Sequence, residues 1–466
     1  EASQTNYIKR LVGLPGEEIQ ISRGDVYARK NEKEPFQILR KDNLQKQLAV
    51  QQLVYDDDYP PREILAFGWP ERWSVMTQVA PNQTKFQEQK QSAWEVDAES
   101  RAYQYRGSAA SSDPRKLQWL RYQHFVPRES EWALLQENPE LFKQTMQTSP
   151  PQPRLISDYT AYNNYSGGSS SGAFMYDAAF WVGDLTVSFD VEIQTDAGEF
   201  FVELMRGDRH YRVRFDVKTG QAKLYYVEDF PNPEPVETEL TTVETSLIGK
   251  GGYSVRFANV DQRLCLWIDG SEVNLDHKSE YQPPVSPAPR DGDLAPVGIA
   301  GQGVDFVISH LLVQRDIYYR SDEYYQSQEY SGDRRHLWEL LWDPAAWSRQ
   351  YEDYRQQVRF AKMSDEEFFV LGDNSARSAD SRLWGNERKA ERRHAVPRSA
   401  LVGKAFMIYW PHGIPFLNDG RGYSPNVGPL QKFFYHQTAP GYYPKDPYAK
   451  LSVPFYPNIS RMQRIR

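Results

Sequence analysis

The stretch LTVSFDVEI at residues 185–193 alternates apolar and polar side chains along its whole length. A period of two places alternate side chains on opposite faces of a strand, so this run predicts a half-buried β-strand. The alternation recurs over residues 211–217 and 255–268, and Asp269-Gly270 is typical of a tight turn between strands. Regular strands joined by turns predict an antiparallel β-sandwich of the jelly-roll type over residues 180–315.

The rest of the chain divides by composition, and the whole is predicted to be mostly β. Short strands with turns are expected at both ends of the sequence, with polar, proline-containing segments between them. We predict a β core in two halves at 1–55 and 364–410, an irregular insertion at 56–179, a helical connector at 316–363 and an extended tail at 411–466. Short helices are predicted at 40–53 and 337–362.

Composition excludes several classes of function. The net charge of −8 argues against a nucleic-acid partner, which favours a basic surface. The single cysteine, Cys265, excludes an internal disulfide framework and a cysteine-based zinc site. The sequence contains no apolar stretch of the ~18 residues that a membrane-spanning helix needs. Because it begins at Glu1 and not at methionine, we expect that a targeting or membrane segment preceded it.

Two motifs at opposite ends of the chain are more specific than anything between them. The first is NYIKRLVGLPGE at residues 6–17, and the second is GDNSARSADSRLWG at residues 372–385. Together with residues 396–405 they resemble the conserved blocks of type I bacterial signal peptidases, which use a serine and a lysine. The resemblance implies a signal-peptidase-like β core that is split by the sandwich-bearing insertion.

Lys9, in the first motif, is the candidate general base. The eight histidines show no arrangement typical of a serine peptidase, and a lysine can replace histidine only if its amine is neutral. Lowering a lysine pKa from about 10.4 to about 8 disfavours the ammonium by roughly 3 kcal/mol, which desolvation can supply. Ile8 and Leu11 flank this position, whereas Arg10 is expected on the opposite strand face. The alternative is a solvated lysine on a strand.

The second motif is expected to support the lysine. By the resemblance, the Ser378 hydroxyl orients the Lys9 amine. Asp380 and Arg382 share one face of an extended segment and can form an ion pair, although a surface pair without catalytic meaning has the same spacing. A turn led by a glycine allows close approach of the backbone to the lysine. The predicted supporting residues are Arg10, Gly372, Asp373, Asn374, Asp380 and Arg382.

The nucleophile is not apparent. In signal peptidases it lies upstream of the lysine, in a serine-methionine-x-proline block that follows a membrane segment. Ser74-Val75-Met76 has the wrong order and lies downstream of Lys9. We therefore expect the serine to be missing from this sequence, and the fragment to be inactive by itself.

The sequence leaves two functions open. The first is a membrane-anchored endopeptidase, with its catalytic domain on the extracytoplasmic side, that removes signal peptides from exported precursor proteins. The second is an inactive relative whose jelly roll binds a glycan or a protein at the cell envelope. Neither requires a cofactor, and no metal is expected, because Asp261, Asp269 and Asp291 match no calcium-loop spacing.

Overall fold

The computed structural model divides the chain into two compact units. The larger comprises Lys9–Asn163 and Met175–Val396, and the smaller comprises Glu1–Ile8, Asn164–Phe174 and Pro397–Arg466. The structure describes residues 7–41, 43–78, 86–89, 92–97, 99–107, 117–158, 180–228, 235–284, 288–320, 340–351, 357–373, 378, 380–382, 384, 394–405, 407–408, 413–415, 455–457 and 463–464.

Most regular elements of the larger unit are strands. The strands in the first third of the chain are β1 (Arg10–Gly13), β2 (Glu18–Ser22), β3 (Asp25–Arg29), β4 (Gln37–Ile38), β5 (Gln52–Asp56), β6 (Trp73–Gln78), β7 (Phe86–Glu88), β8 (Trp94–Asp97), β9 (Ala102–Tyr105) and β10 (Trp119–Tyr122). They continue as β11 (Leu185–Ile193), β12 (Glu199–Arg206), β13 (Arg209–Asp216), β14 (Gln221–Glu228), β15 (Val236–Glu244), β16 (Gly251–Val260), β17 (Arg263–Ile268), β18 (Ser271–Glu272), β19 (Val297–Gln302), β20 (Phe306–Arg315), β21 (Gln357–Phe360) and β22 (Glu367–Leu371). The strand β23 (Val396–Pro397) lies where the larger unit ends.

An antiparallel β-sandwich forms most of this unit, so the prediction of a mostly β chain is confirmed. One sheet has the order β15-β14-β13-β12-β19-β10-β6-β7, and the other has β18-β17-β16-β11-β20-β9-β8, with β5 also paired to β20. The inward side chains of both sheets form one core in which the Phe200 ring lies 5.9 Å from Phe189 and 5.0 Å from Phe306. Asp269 and Gly270 both have positive φ, as the predicted tight turn between β17 and β18 requires.

The sandwich is larger than the sequence indicated. Residues 56–179 were expected to be irregular, but β6 to β10 belong to this segment and complete both sheets. The signal was weak because these strands are short and because all four side chains of β10, WLRY, are buried. A strand that is covered on both faces has no alternation to detect.

A smaller group of strands, which we call the small β core, contains β1 to β4, β21 and β22. The order β21-β2-β3-β4 forms one sheet, and β1 pairs with β22 in another. Their apolar side chains, including the fully buried Ile19, Ile21 and Leu371, pack into one cluster with Tyr319. Tyr319 follows the sandwich strand β20, and its amide donates to the Gly24 carbonyl at 3.1 Å.

Helices are few in the described part of the chain. They are α1 (Leu44–Leu48), α2 (Arg62–Leu65), α3 (Glu129–Glu137), α4 (Pro139–Thr148) and α5 (Pro344–Tyr351). The helix predicted at 40–53 is therefore shorter. The one predicted at 337–362 is interrupted: Leu340 is helical, and α5 begins at Pro344, because proline fits the first turn of a helix. The expected helical connector at 316–363 also contains β21. No helix in the described ranges has the length and apolar character needed to cross a membrane.

The smaller unit has two described strand pairs. In it β24 (Met407–Ile408) pairs with β27 (Gln463–Arg464), and β25 (Gly413–Pro415) pairs with β26 (Phe455–Pro457). A short 3₁₀ helix spans Arg398–Ala400. Most of the tail predicted at 411–466 lies outside the described residues.

Leu120→Ala tests whether residues 73–122 belong to the sandwich. Leu120 is fully buried on β10 between Val75 and Ile299. The substitution is expected to lower the free energy of unfolding by about 2–5 kcal/mol, because it removes buried methyl groups and leaves a cavity. The matched control is Val96→Ala, since Val96 on β8 is 49% exposed. Its effect, measured by chemical denaturation, should stay below about 0.5 kcal/mol, and equally small effects at both positions would contradict the placement of β10.

Candidate active site

The candidate site lies where β1 begins. Arg10 pairs with Leu371 across the antiparallel pair β1–β22, so the chain direction brings Lys9 beside Gly372. Leu371 is fully buried and anchors the end of β22 in the small β core. The backbone around Lys9 is therefore held by strand pairing on one side and by apolar packing beneath it.

Lys9 and Ser378 are in direct contact. The Lys9 Nζ donates a hydrogen bond to the Ser378 Oγ at 2.7 Å. Gly372 makes this approach sterically feasible, because a Cβ at position 372 would lie 1.8 Å from Ser378 Oγ and 3.2 Å from Lys9 Nζ. The backbone of Gly372 thus lies close to both Lys9 and Ser378, and a side chain at position 372 would displace Ser378.

The Lys9 amine is partly removed from water. Desolvation by burial lowers the pKa of Lys9 from its ordinary value of 10.5 and outweighs the opposing effect of the nearby Asp380 carboxylate. Arg382 also lowers this pKa, and the more distant Asp373 raises it. Because Asp380 and Arg382 carry opposite charges, their effects on Lys9 oppose each other and burial determines the direction. The shift is in the direction that a lysine base needs.

Asp380 and Arg382 form a buried, two-pronged ion pair. Arg382 Nε donates to Asp380 Oδ1 at 2.9 Å, and Arg382 Nη2 donates to Asp380 Oδ2 at 2.7 Å. The same carboxylate accepts the Gly372 amide at 2.9 Å. The two residues lie in a turn and not in the extended strand that their spacing suggested. The pair fixes the backbone of Gly372, and through it the space that Ser378 occupies.

Two contacts that sequence reasoning missed hold this turn. Ser381 is fully buried, its Oγ accepts the Val370 amide at 2.9 Å, and its own amide donates to the Val370 carbonyl at 3.1 Å. The His394 Nδ1 lies 2.7 Å from the Ser381 carbonyl oxygen. Ser381 is part of the second motif, but nothing in its spacing distinguishes an inward hydroxyl from a solvated one.

The segment that follows the sandwich also reaches the site. The Arg382 Nη1 donates to the Arg320 carbonyl at 3.1 Å, and the guanidinium lies 5.8 Å from the centre of the Tyr319 ring. Arg320 in turn pairs with Asp158 at 2.6 Å. These contacts join residues that are far apart in the chain, so no local pattern could have indicated them.

The remaining predicted residues lie further from the amine. Arg10 forms an ion pair with Asp373, and its Nη2 donates to the Ala49 carbonyl at 2.8 Å. Asp373 is exposed, so this pair braces the outside of the turn. Asn374 lies outside the described residues. The structure places Ser74 on β6 of the sandwich, where its hydroxyl donates to Gln123 Oε1 at 3.1 Å.

The chain matches a family model described as signal peptidase, peptidase S26. The match covers residues 1–129 and 296–410, which together are more than half of the 466 residues. It includes Lys9 and all of residues 372–382, and it is interrupted within the sandwich.

Curated relatives match a short part of the chain. A probable signal peptidase I-2 from Synechocystis sp. is 42% identical over 50 residues, which are 11% of this chain and 19% of the relative. Signal peptidase I from Aquifex aeolicus is 44% identical over 50 residues, 11% of this chain and 16% of the relative. The chain thus spans less than a fifth of the length of either relative.

Solved structures are similar to part of this chain. A carbohydrate-binding module from Bacillus subtilis is 14% identical, with a TM-score of 0.22, and covers 28% of this chain and 75% of its own. An alginate lyase from Klebsiella pneumoniae is 12% identical, with a TM-score of 0.24, and covers 52% of this chain and 95% of its own.

The lowered pKa of Lys9 can be measured by competitive acetylation across a pH series. Only a neutral amine reacts, so Lys9 is expected to become reactive at lower pH than an ordinary lysine of pKa 10.5, because burial disfavours its ammonium form. Mass spectrometry measures the extent of acetylation of the peptide that contains Lys9. Free Nα-acetyl-lysine in the same reaction is the reference. If Lys9 follows the curve of the free amino acid, the site does not desolvate its amine.

Proposed function

The chain belongs to the signal peptidase family, peptidase S26, and we propose that it provides the general base of a signal-peptide-cleaving serine endopeptidase. The hydrogen bond between Lys9 Nζ and Ser378 Oγ, at 2.7 Å beside the side-chain-free Gly372, carries this proposal. A lysine with a lowered pKa, oriented by a hydroxyl in a partly buried site, has the properties that a lysine base requires.

The chemistry follows from the proton that Lys9 can accept. The neutral amine takes the proton from a serine hydroxyl while the serine oxygen attacks the scissile carbonyl carbon. The resulting ammonium then gives this proton to the leaving amine as the peptide C–N bond breaks. Water hydrolyses the acyl-enzyme in the same manner, with Lys9 again accepting and returning one proton.

Ser378 is proposed to orient the base and not to attack the substrate. One N–H of the Lys9 amine is directed at the Ser378 oxygen. This restricts the rotation of the amine and directs its lone pair away from the Ser378 oxygen. The attacking serine is proposed to be a different residue, in the block that signal peptidases carry before their lysine.

An extended substrate fits the edge of the small β core. In the described residues β1 pairs with β22 along one edge only. Leu11 and Leu14, on and just after β1, are each 47% exposed. An edge strand with exposed apolar side chains can bind a peptide as an added strand. The substrates we propose are exported precursors bearing signal peptides, and the location is the extracytoplasmic face of the cell membrane.

Lys9→Met tests the base directly in the full protein as the cell makes it. Methionine fills the space of the lysine stem but accepts no proton, so precursor cleavage is expected to fall about 10³-fold or more. Lys30→Met is the matched control, because Lys30 is an exposed lysine on the same core. Cleavage of a radiolabelled precursor is the measurement. Undiminished cleavage in the Lys9 variant would refute the role, and absence of cleavage by the unaltered protein would favour an inactive, ligand-binding relative.

Ser378→Ala separates an orienting hydroxyl from a nucleophile. If Ser378 orients Lys9, the variant is expected to keep cleaving at a rate lowered about 10- to 100-fold, since the base and the attacking serine remain. The rate constants are compared in the same precursor assay, and Ser364→Ala, at a part of the chain outside the site, serves as the control. A loss as complete as that of the Lys9 variant would identify Ser378 as the attacking group.

A further inference from the structure

Three aspartates meet where the small β core joins the sandwich. Asp25 begins β3, Asp184 directly precedes β11, and Asp261 lies in the turn between β16 and β17. One carboxylate oxygen from each lies within 4.8 Å of the other two. All three residues are buried, with exposures of 7%, 6% and 4%. In the described part of the chain this is the one such cluster of metal-ligating side chains.

The three carboxylates differ in their partners. Asp261 accepts from both the backbone amide and the Nζ of Lys41, at 2.9 Å and 2.6 Å. Asp184 accepts the Asp261 amide at 3.1 Å and pairs with Arg206. In contrast, no described residue donates a hydrogen bond to the Asp25 carboxylate, although only 7% of Asp25 is exposed. One Asp25 carboxylate oxygen faces the other two aspartates.

The buried charges around this point do not balance. Asp316 adds a fourth carboxylate, which binds Lys41 through Oδ2 at 2.8 Å while its Oδ1 has no hydrogen-bond partner. Lys41 and Arg206 are the basic groups that pair with these four aspartates in the described residues. Arg315 is also buried and its charge acts on Asp316, whereas Asp25 has no ion-pair partner among the described residues. Burying such a charge is unfavourable unless a proton or a cation neutralises it.

We propose that Asp25, Asp184 and Asp261 bind a hard divalent cation of the Ca²⁺ type. Ca²⁺ takes carboxylate oxygens at about 2.3–2.6 Å, so two ligand oxygens on opposite sides of the ion are about 5 Å apart. The three oxygens lie within 4.8 Å of one another, which is close enough for all of them to contact one such ion. The positive charge of the ion would also offset the Asp25 carboxylate, which has no ion-pair partner among the described residues. Asp261 is the one residue shared with the set Asp261, Asp269 and Asp291, whose spacing matches no calcium loop, because Asp25 and Asp184 are distant in the chain and belong to different elements.

The cation would tie the two parts of the larger unit together. Asp25 belongs to the small β core, whereas Asp184 and Asp261 belong to the sandwich. Gly24, next to Asp25, already accepts the amide of Tyr319. The predicted effect of the ion is therefore on the stability of this junction, and it is measurable without any assay of cleavage.

The test uses the full chain freed of metal with EDTA and then titrated with CaCl₂. Isothermal titration calorimetry is expected to detect one site, and thermal unfolding is expected to shift upward as Ca²⁺ rises, because the ion binds only the folded state. Asp25→Asn should weaken Ca²⁺ binding about tenfold or more and remove the thermal shift. Asp291→Asn, at an exposed aspartate outside the cluster, should retain both.

Two outcomes would overturn the proposal. One is the absence of heat and thermal shift when the unaltered chain is titrated with Ca²⁺, which would assign the excess charge to bound protons. The other is an equal response in Asp25→Asn and in the unaltered chain, which would place any bound ion elsewhere. The titration of the unaltered chain decides the matter even if Asp25→Asn fails to fold.

Discussion

The buried ion pair between Asp380 and Arg382 is the interaction on which the candidate site depends. One carboxylate binds both prongs of the guanidinium and the Gly372 amide, at distances of 2.7–2.9 Å. Removing one member of such a pair generally costs about 3–5 kcal/mol, because the other is left buried and uncompensated. The pair thus fixes Gly372 rigidly, and Gly372 in turn determines how closely Ser378 can approach Lys9.

The sandwich and the site are structurally continuous. The chain leaves β20 and within a few residues supplies Tyr319 and the Arg320 carbonyl to Arg382. The same segment is bound to the loop before β3 through Gly24. The segment that follows the sandwich therefore contacts the site directly. A change in the packing of the sandwich core is expected to shift Tyr319 and Arg320, and with them Arg382.

Sequence patterns predicted the parts of this molecule whose physical signal is local. Alternation located β11, β13 and β16, because part of each strand has one buried face and one less buried face. It also located β17, although five of its six residues are buried. It failed for β10, which is covered on both faces. Lys9 and Ser378 were found only through the two motifs, since their contact spans most of the chain. Tyr319, Ser381 and the aspartate cluster have no local signature at all, because tertiary packing alone brings them into place.

The acid limb of the pH dependence of kcat/KM for precursor cleavage, in the full protein as the cell makes it, tests the account most directly. Cleavage needs neutral Lys9, so the rate should rise as that amine loses its proton and level off above its pKa. We expect this limb to lie below the ordinary lysine value of 10.5, since burial lowers the pKa of Lys9. A limb at the ordinary lysine value, or a rate that keeps rising beyond it, would contradict a desolvated lysine base.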